Sequence, residues 1–394
     1  MTLQTCDGWL PTLQATPESA AEVASALRDA QEAGEAVIVV GRGLRLEQGN
    51  VPRAERALRM DRLNRLIDYQ PDDMTVTAEA GMTLAELQDI LAARGQRLAL
   101  DPAHPELTTL GGLVAANPDG PWRAAFGTVR DHLLGLTVAS PDGSLFKSGS
   151  RVVKSVAGYD LPKLFTGSYG TLGVVTQVTL RVRPMPTASG AVLARWEDLS
   201  GLDEAWQTLR RAPLEPSFFE LGVDAQGAFL AMGFEGESDA VLWQQEDVER
   251  QVHTDCERQT DRLRLDLAER AHAAASPLLV KVCVPPAEAI AFLKAAINDL
   301  GPGGTWLGHA GNGVLYGHFS GVEAAEAGRT KVEALRANAA ARRGHLVVLR
   351  APRPWKEGWD VWGPTRSDFP LMKAVKQAFD PRGTLSPGRF VGGL

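Results

Sequence analysis

At 394 residues, with 44% hydrophobic and 23% charged side chains, the chain is long enough for two or three domains with sizeable cores. A formal charge of -7 and a pI near 5.6 supply no basic field for nucleic acid or an anionic bilayer, so nucleic acid is set aside as a partner. The N-terminus has neither a charged n-region nor an apolar h-region, and no run of about 18 apolar residues could span a bilayer; a cytoplasmic protein without direct membrane insertion is expected. Cys6, Cys256 and Cys283 form no C-x-x-C pair, which argues against an iron–sulfur cluster or structural zinc, and no metal site is expected.

In chain order, residues 16–40 read as helix then strand. Thr16 is the expected N-cap, Pro17 the first helical position, Val23, Leu27 and Ala30 the apolar face, Gly34 the stop, and "AVIVV" a buried strand. A second such unit is "MTVTAEAGMTLAELQDILAARGQRL", where Thr83 and Glu86 make a capping box and Leu84, Leu87 and Leu91 recur at helical spacing. "LLGLTVAS" and "SLFKSG" flank Pro141-Asp142-Gly143 and predict a hairpin. "VTQVTLRVRP" alternates, with Val178, Leu180 and Val182 on one face, until Pro184 and Pro186 mark a boundary. A second α+β block follows, including "SPLLVKVCV" before "PAEAIAFLKAAINDLG" and "TKVEALRANAAARRG" before "HLVVL"; the tail is a short amphipathic helix and a Pro/Gly-punctuated turn.

Three Gly-rich segments interrupt this framework. The first, "VIVVGRGLRLEQG", starts like a nicotinamide fingerprint but has Leu46 at the third position and no amphipathic helix directly after it, so NAD is not supported. Such a turn can present backbone N–H groups to a phosphate or simply satisfy a positive φ. The second, "HPELTTLGGLVAANPDGPWRAAFGTVRD", and the third, "KSVAGYDLPKLFTGSYGTLGVVT", carry six Gly or Ala positions of note (Gly111, Gly112, Ala115, Ala116, Gly120 and Gly127) and a further cluster from Gly158 to Gly173. Close backbone approach to a diphosphate and a flat ring requires such small residues, and the three together point to backbone wrapped around one long ligand.

On these motifs, residues 17–184 resemble the FAD-binding domain of the vanillyl-alcohol oxidase/PCMH-type flavoproteins, and "FDPRGTLSPGRF" resembles that family's closing segment. "VVKSVAGYDLPKLFTGSYGTLGVVT" is especially similar to the FAD-binding subunits of bacterial glycolate oxidases. The resemblance implies an α+β fold: a PCMH-type two-subdomain FAD-binding domain (1–186), a smaller α+β cap domain (187–352), and a C-terminal segment (353–394) packing back on the FAD domain. It implies noncovalent FAD held by three sets of residues. The first loop supplies Gly41, Arg42, Gly43, Leu44, Arg45 and Leu46. The second segment supplies Pro102, Thr109, Leu110, Gly111, Gly112, Ala115, Ala116, Asn117, Gly120, Arg123, Gly127, Thr128, Arg130 and Asp131. The third supplies Lys154, Ala157, Gly158, Tyr159, Asp160, Gly167, Ser168, Gly170, Thr171, Gly173, Val174 and Val175, and the tail adds Pro387, Gly388 and Arg389. Two departures stand out: the family's first loop usually reads Arg-Gly-Gly-Gly-Thr-Ser, where this chain has Arg42-Gly43-Leu44-Arg45-Leu46, and Ser386 stands where Asn often precedes Pro387.

Oxidation of a 2-hydroxy acid needs a cation for the carboxylate and a base for the hydroxyl proton. Related catalytic subunits carry His-x-Gly-Asp-Gly-Asn-x-His; "HAGNGVLY" keeps His309, Gly311 and Gly313 but has Asn312, Val314 and Tyr316 in place of Asp, Asn and His. His309 and His318, with Arg389, are the candidate catalytic residues; the preferred alternative is a hairpin that retains no chemistry. His104 and His132 are read as positioning residues, and Trp355, Trp359 and Trp362 either as a partner surface or as packing. The resemblance implies the FAD-binding subunit of a glycolate oxidase complex, its flavin relaying electrons or supporting assembly. The partners would be a homologous FAD-containing catalytic subunit and an iron–sulfur subunit, with membrane association only through them. A stand-alone FAD-dependent 2-hydroxy-acid (D-lactate type) dehydrogenase and a structural subunit with weak or no flavin affinity are the alternatives.

Overall fold

The computed structural model describes residue 11 and residues 13–150, 159–273, 276–300 and 304–394. Two sheets build the N-terminal region. Strands Leu13–Ala15, Arg56–Arg59 and Val37–Val40 form a parallel sheet; Leu66–Gln70, Thr75–Glu79, Val174–Arg181, Leu133–Ala139 and Leu145–Gly149 form, in that order, an antiparallel one. The helix Ala20–Ala33 lies between them, its Val23, Leu27 and Ala30 packed against Val37 and Leu58 of one sheet and Ala139 and Val174 of the other. That helix begins later than Thr16: Ser19 is the N-cap and accepts the Glu22 N–H at 3.2 Å. Glu22 in turn accepts from Ser19 Oγ and the Glu18 N–H. This reciprocal capping outweighs the preference of Pro17 for a first turn.

The Thr83–Glu86 capping box forms at the head of Leu84–Ala92, whose Leu84, Leu87 and Leu91 cover Val76, Val178 and Leu180 of the antiparallel sheet. The hairpin at Pro141-Asp142-Gly143 forms with Ala139 opposite Leu145. The alternation in Val174–Arg181 places Val178 and Leu180 in the core.

Residues 188–350 build an eight-stranded antiparallel sheet, ordered Cys256–Gln259, Ala188–Trp196, Gly227–Gly236, Phe218–Asp224, Gly304–His309, Val314–Phe319, Leu278–Cys283 and His345–Arg350. One face buries Leu230, Met232, Val280 and Val282 under helices that include Leu199–Leu209, Ser238–Gln251 and Ala325–Ala341. The other carries Phe229, Ala231, Leu307 and Tyr316 beside the helix Arg262–Arg270. This second face meets the N-terminal region.

The C-terminal segment returns to the N-terminal region. Val37 donates its N–H to Thr384 O (2.7 Å) and accepts from Ser386 N (2.8 Å), so the tail adds to the edge of the parallel sheet. Lys376, on the helix Phe369–Phe379, donates to Thr171 O at 2.8 Å and Leu385 O at 2.9 Å. The tryptophans pack rather than form an exposed patch: Trp359 is buried in the second core, and Trp362 donates its indole N–H to Arg389 O at 3.0 Å while standing edge-on to Tyr169.

Candidate functional site

A cleft with about 810 Å³ of empty space, counting its open mouth, lies between the two N-terminal sheets. The first loop leaves the strand Val37–Val40 and runs along it, and Gly41 admits no side chain because a Cβ there would fall 2.4 Å from Thr109 Oγ1. Thr109 caps the helix Leu110–Ala116, accepting the Gly112 N–H at 3.2 Å, and so presents Gly111, Gly112, Ala115 and Ala116 as a floor. The third wall is Ser168, Gly170, Gly173, Val174 and Val175, and Arg389 closes the tail side. Arg42, Gly43, Leu44, Arg45 and Leu46 complete the lining expected from sequence. Val39, Val40, Met60, Ala80, Leu107 and Tyr169 also line the cleft and had no motif signal, being strand, loop or core residues by pattern.

The remaining described candidates lie off that lining, and some of them brace it. Leu110 and Thr171 are buried, Thr171 Oγ donating to Ser168 O at 2.7 Å. Asn117 adopts a left-handed C-cap and Gly167 donates to Val114 O at 2.9 Å, holding the floor helix to the third wall. Pro102 and Gly120 sit around Asp101, and Arg123 pairs with Asp119. Gly127 turns the chain into a capping box in which Asp131 accepts the Thr128 N–H at 2.7 Å, leaving Arg130 exposed. Tyr159 is 93% exposed and Asp160 caps the helix Leu161–Phe165. Pro387 O accepts from Arg53 N at 3.0 Å beside Gly388, which turns at a φ of 87°. Lys154, Ala157 and Gly158 lie outside the described residues.

Where the N-terminal region meets the large sheet, charged groups are buried in partnership. Arg264 Nη1 donates to Asp101 at 2.9 Å and its guanidinium stacks 3.6 Å from the Trp122 ring centroid; Asp101 also accepts the Trp122 N–H. Burial nonetheless pushes the Asp101 carboxyl up, against the pull of Arg264. Lys281 and Tyr316, cross-strand neighbours, both reach Asp119, with burial lowering the Lys281 ammonium pKa and raising that of the Tyr316 phenol. Register also pairs Glu220 with His309: the His309 Nδ1–H donates to the Glu220 carboxylate at 2.8 Å, both fully buried, and His309 Nε2 has no partner among the described residues. Burial raises the Glu220 pKa, the neighbouring imidazole opposing it.

Among the described residues no hydrogen bond or ion pair joins any two of the three catalytic candidates, and each has its own partners. His318 Nε2 bonds Ala271 O at 3.1 Å. Arg389 donates to three main-chain carbonyls, those of Gln48, Tyr169 and Arg45, and so sews the tail to the first loop and the third wall. His132 is buried and bonds Phe126 O at 3.0 Å, a positioning contact. Glu220 and His272, which the motif reading missed, emerge only from strand register and packing; His272 stacks 5.0 Å from Tyr316. Among the described residues no group of three His, Cys, Asp or Glu could hold a metal, and no helix is long and apolar enough to cross a membrane.

A cleft floored by Gly and Ala, ringed by arginines and without a carboxylate in its lining suits a dinucleotide with a diphosphate and a flat ring. The lining also contains no His or Cys for a covalent bond to such a ring. Residues 11–149 match the family described as FAD binding domain, and residues 363–390 match FAD linked oxidases, C-terminal domain. Glycolate oxidase subunit GlcD of Bacillus subtilis is 26% identical over 97% of this chain and 89% of its own; glycolate oxidase subunit GlcE of Escherichia coli is 38% identical over 38% and 42%. D-2-hydroxyglutarate dehydrogenase of Xanthomonas citri pv. viticola is 28% identical over 96% and 89%. Among solved structures, an alkyldihydroxyacetonephosphate synthase superposes with a TM-score of 0.72 at 18% identity, over 98% of this chain and 78% of that one, a likeness of fold. Residues 11–149 and 363–390 thus resemble the two conserved parts of FAD-linked oxidases, and the chain is an FAD-linked oxidoreductase.

Proposed function

We propose that this chain is the FAD-binding subunit of a glycolate-oxidase-type complex that oxidises glycolate, a 2-hydroxy acid, to glyoxylate. The observation that carries the reading is the Gly/Ala-floored cleft, taken with full-length similarity to one glycolate oxidase subunit and local similarity to another. Gly41 and Gly43 of the first loop and Gly111 and Gly112 of the floor would lie against the dinucleotide, Arg42 and Arg389 would set the charge around it, and Val174 and Val175 would face its ring. When bound, FAD supplies the two-electron acceptor. The partners in this reading are a homologous FAD-containing catalytic subunit and an iron–sulfur subunit, and residues 1–186, 187–352 and 353–394 act as FAD domain, cap and returning segment.

A stand-alone 2-hydroxy-acid dehydrogenase is the second reading, and the buried His309–Glu220 pair favours it. A glutamate accepting from Nδ1 keeps the Nε2 lone pair available, which a base requires. An anaerobic visible spectrum of the purified chain, before and after glycolate, separates the two. Bleaching by the chain alone supports the stand-alone enzyme, whereas bleaching only after the partner subunits are added supports the complex. A chain that carries no flavin at all, yet assembles, would refute both.

A further inference from the structure

A single carboxylate at the junction of the two regions holds three donors. Asp119 Oδ1 accepts from Arg123 Nη1, its Oδ2 accepts from Lys281 Nζ, and the Tyr316 hydroxyl donates to the same Oδ2 at 3.4 Å. Lys281 and Tyr316 stand directly opposite each other on the strands Leu278–Cys283 and Val314–Phe319, so register brings an ammonium and a phenol together on the sheet face that meets the N-terminal region. Asp119 comes from the loop between the helices Leu110–Ala116 and Arg123–Phe126. Its side chain is 1% exposed, whereas Lys281 and Arg123 keep 22% and 30% of theirs open to water, within reach of a small solute. The charge balance is the reverse of that at the neighbouring Arg264. Arg264 faces two acids, Asp101 and Asp261, whereas at Asp119 two cations share one acid, and neither has another acidic partner among the described residues. A pair that only joined two surfaces would need one cation; a second one, partly withdrawn from water without a counter-ion, is the mark of an anion site. The next polar group on that face also lacks a partner. His309, whose ring stands 5.6 Å from that of Tyr316, is 2% exposed, and its Nε2 is bonded to no described residue. A receptor for a carboxylate beside an imidazole nitrogen left open suits a molecule with an acid at one end and a hydroxyl next to it.

We propose that Lys281, Tyr316 and Arg123 form a site for a small carboxylate and that the chain's own Asp119 occupies it, an autoinhibitory contact that shuts free hydroxy acids out of this subunit. The inference deepens the glycolate-oxidase reading, on which it rests for the substrate class: a chain whose acid site is filled from within leaves the oxidation to its partner. Gly120 holds the backbone in place when Asp119 is changed, since it packs so closely that a Cβ there would fall 2.4 Å from Asp101 O. What a substitution releases is therefore the side-chain contact alone.

The test uses the FAD-loaded chain as wild type and in three altered forms. Asp119→Ala empties the site, Asp119→Asn removes the charge but keeps the bulk, and D119A/K281M also removes a donor. Oxalate, a small acid that a flavin does not oxidise, is the probe; its Kd is read by titration calorimetry, with circular dichroism and FAD per chain as controls. D119A is expected to bind oxalate at least about 30-fold more tightly than wild type, because a site occupied from within is hidden from a free ligand in proportion to its occupancy. D119N should lie between the two, and D119A/K281M should fall back to the wild-type value. An equal Kd for wild type and D119A, or loss of native circular dichroism in both single variants, makes Asp119 a structural tie and overturns the proposal. A gain in D119A that survives the loss of Lys281 places oxalate elsewhere and overturns it too. Anaerobic glycolate tests the functional reading separately: tighter oxalate in D119A with no bleaching of its flavin, even with partner subunits present, upholds the filled site and sinks the hydroxy-acid reading. Bleaching in D119A but not in wild type supports both.

Discussion

Replacing Arg264 by Met strips the partner from a carboxylate that is almost fully buried at the junction of the two regions. Arg264 and Asp101 are 5% and 3% exposed and their atoms are 2.9 Å apart. At an effective dielectric near 20 the attraction at that distance is about 6 kcal/mol, most of it offset by desolvation of both ions. What removal of one partner costs is set by the charge left behind, about 3–5 kcal/mol for a buried pair. The Trp122 N–H still solvates Asp101 in the variant, while the stack of Arg264 on Trp122 is lost, so the middle of that range is expected, about 4 kcal/mol or on the order of a thousandfold in the unfolding constant. Asp101→Asn should cost less, because Arg264 retains Asp261 at 2.8 Å. The double variant D101N/R264M should return to within about 1 kcal/mol of wild type, since the carboxylate then left alone, Asp261, is partly exposed rather than fully buried. Urea unfolding followed by tryptophan fluorescence measures all four forms, with Trp122 reporting directly on the junction. Additive losses in the double variant, or a loss below about 1 kcal/mol in R264M, would refute the reasoning.

Three further outcomes are expected. His272 is neutral in the fold, its pKa lowered by burial to about 3 from an unfolded value near 6.5, so the unfolded chain binds the extra proton and stability falls as pH drops through that window. His272→Gln should remove about one proton, or about 1.4 kcal/mol per pH unit, from the slope of unfolding free energy between pH 4 and 6; an unchanged slope would assign the acid sensitivity elsewhere. Gly41→Val must push Thr109 aside, and should lower FAD per chain at least about tenfold while circular dichroism stays native; full FAD content would show that the loop relaxes freely. Lys376→Met removes a cation that bonds Asp380, Thr171 O and Leu385 O, and should cost about 2–3 kcal/mol and make the C-terminal segment the first site of proteolysis, the cleavage pattern being the readout.

Much of the frame was legible from local chemistry. The Thr83–Glu86 capping box, the turn at Pro141-Asp142-Gly143, the stop at Gly34 and the alternation through Leu180 are contests settled within a few residues, which is why reading them in sequence works. The start of the first helix went otherwise because two local signals competed and the reciprocal bonds of Ser19 and Glu22 prevailed over Pro17. The glycines of the three loops announced a ligand wrapped in backbone, since only residues without bulk allow that approach.

Tertiary structure alone decided which charges meet. Asp101 and Arg264 lie far apart in sequence, as do Glu220 and His309, and nothing in their surroundings along the chain marks them as partners; strand register and the docking of one region on another bring each pair together. The same holds for Arg45: in sequence it is one cation in a loop, and only the fold pairs the neighbouring Glu47 with Arg350 and sets Arg45 in the lining of a cleft without a carboxylate. Local pattern fixes elements because hydrogen bonds and turn geometry act over a few residues, whereas a site depends on which buried groups find partners when distant surfaces close, and that is settled only in the folded chain.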